Sequence, residues 1–420
     1  MTATAHLKQT ELGLIPRDWE IRPLRELVAN FDFKRVPIKD SERKNGKYPY
    51  YGASGIIDYI DDYAFDGEYV LLAEDGENLR SRILPVAFLA KGKFWANNHA
   101  HVLKGNERAQ TQFLMYALQL ASIDTYLTGT TLPKLSQQNM NLIPVALPSM
   151  EEQQAITKIL SSLNDKIEVS RQMNATIEAI GRAIFKQWFI DLEFPGEDGK
   201  PYRSSGGEMV YDEELNRKIP KGWTVSTLGN EIEVGGGSTP DTSEPSLWEG
   251  GNLHWATPKD LSLLISPVLM DTERKITHKG LISIGSRIYP RGSLLMSSRA
   301  PIGYLAVSEV ETAINQGMIA MVCAKSLSSL FMLNWCRFNM ERIENMSNGT
   351  TFKEITKSSF RSIPVVVPPD SVVALFDKVV KPLHSRVISN MRQSEAVAGI
   401  KDSLLPKLML GKIRVPLGAG

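Results

Sequence analysis

The sequence predicts an α+β protein in which two mixed α/β domains of similar construction alternate with two long helices. Three observations carry this prediction: a long helical pattern in the middle of the chain, a second one near its C-terminus, and a repeat that relates the two halves. Self-similarity along a chain is the signature of a structural unit that is built more than once.

The central stretch from Glu151 to Asp191 has the pattern of one amphipathic helix. It lacks proline, and its only glycine is Gly181. Apolar residues three or four positions apart fall on one helix face. About forty residues at roughly 1.5 Å each extend about 60 Å, which is more than one small domain can enclose. The apolar positions are Ile156, Ile159, Leu160, Leu163, Ile167, Met173, Ile177, Ile180, Ile184 and Trp188.

A second helical pattern runs from Ser371 to about Leu405. Two matched apolar stripes in one chain are expected to bury each other, although two helices that each cover their own domain satisfy the same pattern. Ser170 and Asn174 interrupt the first stripe, and the matching positions of the second carry Asn390 and Ser394. At a helix seam such residues fix the register and lower the stability; on a solvated face they have no such role.

The two halves of the chain repeat one another at a nearly constant distance. The motif Ile15-Pro16-Arg17-Asp18-Trp19 returns 204 residues later as Ile219-Pro220-Lys221-Gly222-Trp223. Gly129-Thr130-Thr131 returns after 220 residues as Gly349-Thr350-Thr351, and this distance persists through both helices. The second domain therefore has 220 − 204 = 16 additional residues between these two motifs. The predicted organisation is a first domain over 1–148, a long helix over 149–192, a linker over 193–208, a second domain over 209–369, a second long helix over 370–410 and a tail over 411–420.

Short β-type runs bounded by turn residues and one amphipathic helix are predicted inside each domain. The glycines Gly235–Gly237, followed by Ser-Thr-Pro, are interpreted as a loop rather than a phosphate cradle. In the first domain the strands are predicted at 48–59, 67–73, 84–89, 94–103 and 142–147 and the helix at 110–126; in the second, strands are predicted at 287–297 and 302–307 and a helix at 327–344.

Composition limits the function classes. The chain has 48 Lys and Arg against 47 Asp and Glu, a net charge of +1, so any basic surface must be local. Its two cysteines, Cys323 and Cys336, give neither a disulfide framework nor a metal-binding spacing. The N-terminal residues lack the features of a signal peptide, and no apolar run is long enough for a membrane helix. We therefore expect a cytoplasmic protein.

Sequence motifs of catalysis are missing. There is no glycine-rich methyl-donor motif with an Asn- or Asp-Pro-Pro-aromatic tetrad, no phosphate-binding loop and no nucleophile elbow. Asp260, Glu273 and Lys275 have a spacing that suits a metal-dependent nuclease, in which two carboxylates hold the ion and a lysine positions water. The carboxylates between Asp58 and Glu77 lack the spacing of a calcium loop and are expected in solvated turns.

Several motifs resemble, in the same order, those of the specificity subunits of type I restriction–modification enzymes. The first long helix closes with Ala183-Ile184-Phe185-Lys186-Gln187-Trp188-Phe189-Ile190-Asp191, and the linker contains Tyr202-Arg203-Ser204-Ser205-Gly206-Gly207-Glu208-Met209-Val210. The other matching motifs are Pro148-Ser149-x-Glu151-Glu152-Gln153-Gln154, Ile219-Pro220-x-Gly222-Trp223 and Leu404-Leu405-Pro406-Lys407-Leu408-Met409. The resemblance extends over nearly the whole chain.

The resemblance implies an α+β fold with two pseudo-symmetric mixed α/β target-recognition domains separated by a pair of long antiparallel coiled-coil helices. Each domain would read one half of a split DNA sequence. The helices would set the unread spacer and dock two methyltransferase (modification) subunits, which restriction subunits join. The expected partner-binding residues are Phe185, Trp188, Phe189, Leu404, Leu405 and Leu408.

The resemblance also implies that the chain is non-catalytic and holds no cofactor. S-adenosylmethionine, ATP and Mg²⁺ would belong to partner subunits. The assembled complex would be an adenine-N6 DNA methyltransferase and an ATP-dependent endonuclease.

Contacts to double-stranded DNA are expected in basic and amide-rich stretches. Arginine grips guanine through two hydrogen bonds, Asn and Gln do the same to adenine, and lysine mostly holds phosphate. The two Gly-Thr-Thr motifs, followed by Lys134 or Lys353, suit either phosphate binding or a helix-entry turn. The candidates are Arg80, Arg82, Lys91, Lys93, Asn97, Asn98, His99 and Lys134 in the first domain and Lys259, Arg274, Lys275, Arg287, Arg291, Arg299, Asn315, Gln316 and Lys353 in the second.

The expected function is therefore sequence-specific DNA recognition inside a type I restriction–modification complex. Two other functions stay open. One is a self-contained metal-dependent DNA endonuclease that uses Asp260, Glu273 and Lys275. The other is a duplicated coiled-coil scaffold whose two domains bind protein.

Overall fold

The computed structural model describes residues 6–285, 287–347 and 353–416. Within these ranges the chain forms two compact units. The first unit combines the residues up to Ile167 with those from Glu395 onward, and the second spans Glu168–Ser394. The α+β fold class predicted from the sequence is confirmed.

The first unit is organised around a six-stranded sheet. Its described strands are β1 (Leu7–Thr10), β2 (Gly13–Pro16), β3 (Glu20–Pro23), β4 (Val28–Asn30), β5 (Asn45–Gly52), β6 (Gly55–Ile60), β7 (Phe65–Ala73), β8 (Ala87–Ala96), β9 (Ala100–Gly105) and β10 (Pro144–Leu147). The helices are α1 (Asn78–Ser81), α2 (Thr111–Leu120), α3 (Gln137–Met140) and the beginning of the long α4 (Met150–Phe185). The sheet order is β4-β9-β7-β8-β5-β6, and its one parallel pair is β5 with β8.

Three local predictions in this unit need correction. The run predicted as a strand over 48–59 forms two strands, β5 and β6, with a turn at residues 53–54. The run predicted as one strand over 94–103 is divided by a turn, because Asn97 accepts a hydrogen bond from the backbone of His99. The helix predicted over 110–126 ends at Leu120. The Arg82 guanidinium donates to the carbonyls of Gln119 and Ala121 at 3.3 and 2.6 Å, and so satisfies acceptors that the end of a helix leaves free.

The ends of the chain meet within the core of the first unit. Leu405 and Leu408, near the end of the second long helix, are buried in the same cluster as Trp19 and Leu160. Arg414 lies 2.7 Å from the buried carboxylate of Glu152, which also accepts the indole N–H of Trp19 at 3.0 Å. The Trp19 ring of the repeated opening motif is therefore a structural anchor.

The second unit repeats this construction with additional elements. Its strands are β11 (Met209–Asp212), β12 (Arg217–Pro220), β13 (Thr224–Thr227), β14 (Glu233–Gly236), β15 (Leu253–Ala256), β16 (Val268–Leu269), β17 (Arg274–Ile276), β18 (Leu294–Ser298), β19 (Ile302–Ser308), β20 (Thr312–Ile314), β21 (Met318–Val322) and β22 (Pro364–Val367). Five form a sheet in the order β14-β21-β18-β19-β16, and three form the sheet β17-β15-β20. The helices are α5 (Leu228–Glu231), α6 (Pro258–Ser262), α7 (His278–Ser283), α8 (Ser329–Phe338), α9 (Met340–Asn345), α10 (Lys357–Arg361) and the beginning of the long α11 (Asp370–Met409).

The glycine run 235–237, predicted as a loop, lies at the end of strand β14. A Cβ atom on Gly235 would lie 2.0 Å from the hydroxyl oxygen of Tyr289, and one on Gly237 would lie 1.6 Å from the carbonyl oxygen of Ile314. These glycines are therefore required by close packing. The second Gly-Thr-Thr motif, Gly349-Thr350-Thr351, lies outside the described residues.

Both predicted long helices are confirmed. The first, α4, continues into a π-helical turn over Lys186–Ile190. In the second unit, the Phe185 ring of α4 lies 5.9 Å from the Phe376 ring of α11, and Asn390 donates to the side chain of Asn174 at 2.8 Å. Phe185 follows Asn174 in α4, whereas its partner Phe376 precedes Asn390 in α11. The two helices are therefore antiparallel in this unit.

The polar residues of the helix stripes lie at the seam and not on a solvated face. Asn174 and Asn390 are 5 % and 2 % exposed, and Ser170 is buried as well. The Asn174 amide also reaches the carbonyl of Val387 at 3.5 Å. A buried amide pair of this kind is satisfied in one alignment of the helices and unsatisfied in others, so it specifies the register.

Replacing Asn390 by leucine is expected to lower the free energy of unfolding by about 2 kcal/mol, because Asn174 then keeps a buried polar group without its partner. The double variant Asn174→Leu/Asn390→Leu is expected to recover most of this loss, since two apolar side chains leave nothing unsatisfied. Chemical denaturation followed by circular dichroism measures both values. Arg392→Leu, at an exposed position of the same helix, is the control. A double variant as unstable as the sum of the two single variants contradicts the interpretation.

Candidate nucleic-acid interface

Three backbone segments of the first unit converge at the end of strand β7. The Glu74 N–H donates to the carbonyl of His99 at 2.9 Å, and the Glu74 carbonyl accepts from Leu135 at 2.7 Å. The Gly76 N–H donates to Pro133 at 3.1 Å. The strand end therefore joins the turn after β8 to a hairpin closed at Lys134. We call residues 74–76, 97–99 and 128–135 the first rim.

The second unit contains the same arrangement at the end of strand β18. The Ser298 N–H donates to the carbonyl of Gly317 at 2.9 Å, and the Ser298 carbonyl accepts from Ile355 at 3.0 Å. The antiparallel bridge between Arg299 and Glu354 matches the bridge between Asp75 and Lys134 in the first rim. We call residues 298–299, 315–317 and 353–355 the second rim.

The matching asparagines Asn97 and Asn315 hold the two turns in shape. The Asn97 side-chain oxygen accepts the N–H of His99 at 2.8 Å, and that of Asn315 accepts the N–H of Gly317 at 3.0 Å. An Asn that bonds the backbone two residues ahead forms a turn of its own. Asn97 is also buried. Both are predicted DNA-binding residues, and in the structure their side-chain oxygens hold the turns.

The rims correct the alignment of the two halves. Tyr51 and Ala256, whose carbonyls accept from the turn asparagines, are 256 − 51 = 205 positions apart in the sequence. The strand-end residues Glu74 and Ser298 are 298 − 74 = 224 positions apart. The sequence separation is 218 positions between Asn97 and Asn315 and 220 positions between Leu135 and Ile355. The net difference of 16 thus combines 1 + 19 + 2 = 22 additional residues in the second unit with six additional residues, between the strand end and the turn, in the first. Lys134 is matched by Glu354, and not by Lys353.

A buried ion network supports the first rim. The His101 ring places Nδ1 2.6 Å from the Asp32 carboxylate and Nε2 2.8 Å from the Leu135 carbonyl, so both ring nitrogens have an acceptor. The Arg35 guanidinium lies 2.6 Å from Glu74 and 3.3 Å from Asp32. Lys134 lies 3.3 Å from the other oxygen of Glu74. Glu74 had been predicted in a solvated turn, and its side chain is 14 % exposed instead.

Within the described ranges, Asp32, Glu74 and His101 are the one group of His, Cys, Asp and Glu close enough together to hold a metal ion. Arg35 occupies the space between the two carboxylates, and both ring nitrogens of His101 already have acceptors. A metal would have to displace these cationic contacts. The arrangement therefore fits an ion network better than a metal centre.

Burial opposes ionisation of Asp32, but the hydrogen bond and charge of His101, the N–H of Val102 and the charge of Arg35 outweigh it and lower the pKa of Asp32. A carboxyl group with a lowered pKa stabilises the fold above its unfolded value of about 3.9 and loses this contribution as the pH falls through the folded value. The stabilisation by Asp32 is therefore complete at neutral pH.

Replacing Asp32 by asparagine is expected to lower the free energy of unfolding by about 3 kcal/mol at pH 7, because the buried His101 ring and the Arg35 guanidinium lose a charged acceptor. The difference from the wild type should shrink as the pH falls from about 4 through the lowered pKa of folded Asp32. Urea denaturation across this range measures it. Asp40→Asn, on an exposed turn of the same unit, is the control. A difference that grows on acidification would refute the assignment.

The other basic candidates of the first domain divide into two groups. Arg80 donates to the carbonyls of Gly129 and Thr130 and braces the hairpin of the first rim. Arg82 holds the end of α2, as described above. Lys91 pairs with Glu68, and Lys93 lies over the Tyr63 ring. These two lysines lie on β8, six and four residues before Asn97 of the rim, or roughly 20 and 13 Å along an extended strand.

In the second unit, Arg299, Gln316 and Lys353 belong to the second rim. Gln316 and Lys353 are exposed, and a Cβ on Gly317 would lie 3.2 Å from the Arg299 guanidinium. The remaining candidates lie elsewhere and already have partners: Arg274 over Trp248, Lys259 with Glu273, Lys275 with Asp271, Arg287 with Glu233 and Arg291 with Glu309.

The nuclease triplet has structural roles. The Asp260 carboxylate accepts the N–H and the hydroxyl of Thr257 at 2.8 and 2.6 Å and the N–H of Glu273 at 2.8 Å. It thus caps α6 and holds the following strand. Lys275 pairs with Asp271 at 3.0 Å rather than with the other two residues. Nothing in this arrangement leaves two carboxylates free to hold an ion.

The predicted partner-binding residues lie mostly in the cores. Phe185, Trp188, Leu405 and Leu408 are buried, and Phe189 and Leu404 are half-buried against the same clusters. A side chain without exposed surface cannot contact a partner in this conformation, so these four residues stabilise the fold instead. The large apolar side chains that the long helices do expose are Val169, Met173, Ile180, Leu375, Val379 and Ile400.

The two rims and the duplicated fold define an α+β protein with two matching polar edges, one in each unit. The chain belongs to the family described as the type I restriction modification DNA specificity domain, which matches residues 16–179 and again residues 220–379. The resemblance stated from the motifs is thereby confirmed.

Individual relatives extend over the full chain. The type I restriction enzyme MjaIX specificity subunit of Methanocaldococcus jannaschii is 26 % identical over 97 % of this chain and 96 % of its own length. The putative MjaX specificity subunit of the same organism is 24 % identical over 98 % and 97 %. The crystal structure of a type I S subunit from M. genitalium matches the fold with a TM-score of 0.57 at 16 % identity, over 96 % of this chain and 98 % of that one.

A helix that spans a membrane must be both long and apolar. None of the helices in the described ranges combines the length and the apolar character that a membrane span needs.

Proposed function

We propose that this chain is the DNA-reading subunit of a type I restriction–modification complex, and that each domain reads one half of a bipartite target. The observation that carries this proposal is the pair of rims. Two backbone contacts recur at the two strand ends and a third recurs at the turn asparagines, whereas the side chains around them differ. A conserved frame with exchangeable side chains suits two readers of different sequences.

The exposed side chains of the rims have the chemistry of base recognition. Asn98 and Gln316 are exposed amides at matching turn positions, and an amide can pair with adenine through two hydrogen bonds; the Gln316 oxygen also accepts from the Thr239 hydroxyl. The half-buried side chains of Asp75 and Arg299 also match: Asp75 lies 2.8 Å from Nδ1 of His99, and the Arg299 guanidinium is suited to guanine. Lys353 and Arg80 suit phosphate contacts.

The docking of partner subunits is assigned here to the exposed apolar positions of the long helices. Val169, Met173 and Ile180 are 53, 39 and 44 % exposed. They are separated by four and seven residues and therefore fall on one helix face. An apolar stripe that the fold does not bury is typical of a protein contact. We propose that methyltransferase subunits cover it and that restriction subunits join them.

Catalysis belongs, on this proposal, to those partners. They supply S-adenosylmethionine for adenine methylation and ATP and Mg²⁺ for cleavage. The scaffold alternative requires no DNA affinity, and the endonuclease alternative requires a site that Asp260 does not offer.

Exchanging the turn residues Asn98→Gln/His99→Gly, which introduces the residues of the second rim, is expected to change the first half of the methylated sequence and leave the second half unchanged. The backbone N–H that bonds Asn97 remains, so the turn is retained. Methylation sequencing of a host that expresses this chain with its methyltransferase subunit gives both halves.

Lys91→Ala, at an exposed position outside the rim, is the matched control and should leave both halves unchanged. Altered recognition in both halves, or in neither, argues against one rim per half-site. Absence of any methylated motif with the wild-type chain argues against the function itself.

Replacing Ile180 by aspartate is expected to weaken binding of the methyltransferase subunit at least tenfold, because a charge replaces an apolar contact that becomes buried. Thermal unfolding of the isolated chain should not change, since Ile180 is exposed. Analytical ultracentrifugation of the mixed subunits measures the effect. Ala175→Asp is the control, since it is exposed on the same helix about 140° around its axis. Equal loss in both variants contradicts a specific apolar contact.

A further inference from the structure

The hairpin of the first rim presents one large apolar side chain to solvent. Leu132 is 58 % exposed, while its neighbours Pro133 and Leu135 are buried. Thr130 and Thr131 beside it are exposed hydroxyl residues. The hairpin tip is thus small and polar except for Leu132.

The hairpin is held rigidly. Thr128 and Lys134 exchange two backbone hydrogen bonds of 2.8 Å each. Gly129 has a φ of +83°, and a Cβ there would lie 2.3 Å from the Leu132 carbonyl, so the tight bend requires glycine. Arg80 donates to the Gly129 carbonyl at 2.9 Å from outside. A braced loop presents its apolar residue at little additional entropy loss on binding.

Two cationic side chains flank the hairpin. Arg80 and Lys134 are both exposed, and Glu74, which pairs with Lys134, also pairs with Arg35. Proteins that open a base step insert an apolar side chain between the bases, and cations beside it can bind the flanking phosphates. The rigid apolar tip between Arg80 and Lys134 has this arrangement.

Comparison of the two domains separates general from sequence-specific contacts. The residues that differ are Asp75 against Arg299, His99 against Gly317 and Lys134 against Glu354. The sequence Gly-Thr-Thr followed by a large apolar residue is common to both, with Leu132 in the first copy and Phe352 in the second. Phe352 lies outside the described residues and enters only as sequence. A large apolar residue that is present in both copies, while the rim side chains differ, fits a contact that does not depend on base sequence.

We infer that Leu132 is an apolar wedge that enters the base stack of DNA beside the first half-site. The inference rests on the proposed function and deepens it. A thymine methyl contact would require the same base in both half-sites, whereas insertion between bases requires only a step that opens easily. The wedge thereby assists DNA bending or opening, while the rim side chains read sequence.

The test uses the assembled complex of this chain with its methyltransferase subunit. The probe is a duplex with the methylated sequence mapped in the host, in which 2-aminopurine replaces single bases beside the first half-site. Binding of the wild type is expected to raise 2-aminopurine fluorescence at one step, because unstacking relieves quenching. Leu132→Ala is expected to abolish this rise and to weaken binding about tenfold, equivalent to about 1.4 kcal/mol. The slope of affinity against salt should not change, since no charge is removed.

Two variants sharpen the result. Leu132→Phe introduces the residue of the second copy and should retain the fluorescence rise. Leu142→Ala, at an apolar position 48 % exposed outside the rim, should behave as wild type. Thermal unfolding of the Leu132 variants checks that the fold is intact.

The outcomes separate the wedge from the proposed function. Wild-type fluorescence and affinity in Leu132→Ala overturn the wedge while DNA recognition stands. Loss of the methyltransferase subunit from Leu132→Ala, with normal fluorescence in the complex that remains, overturns it in favour of a protein contact. A wild-type complex that does not bind the duplex overturns the proposed function itself.

Discussion

Burial of the apolar stripes of the two long helices is the constraint on which both units depend. Neither helix is expected to be stable alone in water, because a helix in a protein gains most of its stability from packing of its apolar face. The early part of α4 contributes Ile156 and Leu160 to the first core, and its end contributes Phe185 to the second. The other helix does the reverse, with Phe376 in the second core and Leu408 in the first. Each core is therefore incomplete without chain segments that are far apart in sequence.

This dependence explains what the sequence could and could not predict. The helices follow from periodicity, and the duplication follows from matching motifs. Phe185 and Trp188 were assigned to a partner because their motif is distinctive, yet the fold buries them. Periodicity predicts that a face is apolar but not what covers it. Arg82 and Asp260 look like functional charges, and only the tertiary structure brings them to the helix end and the helix start that they cap.

The rims show a different limit of sequence reasoning. An alignment at distances of 204 and 220 finds the motifs at either side but passes over the strand ends, which match at 224. The bonds that define the frame are made by backbone atoms of Glu74 and Ser298, whose side chains have nothing in common. No residue type marks such a position. The turn asparagines show that residue type does not identify a role, since Asn suits both a base contact and a turn.

The supports beneath the two rims show which part of the frame is constrained. Strand register matches His101 with Ile319, since they pair with Leu72 and Met296, each two residues before the matching strand ends. The histidine that lies 2.6 Å from Asp32 in the first unit is thus replaced in the second by an apolar residue. The backbone contacts at the strand end persist across this change. Charges and apolar packing can therefore hold the same frame, provided that each group is satisfied within its own unit. The side chains that support the rim backbone and the exposed side chains of the rim can then change together without moving the backbone. A duplicated domain can thereby acquire a second specificity while keeping its geometry.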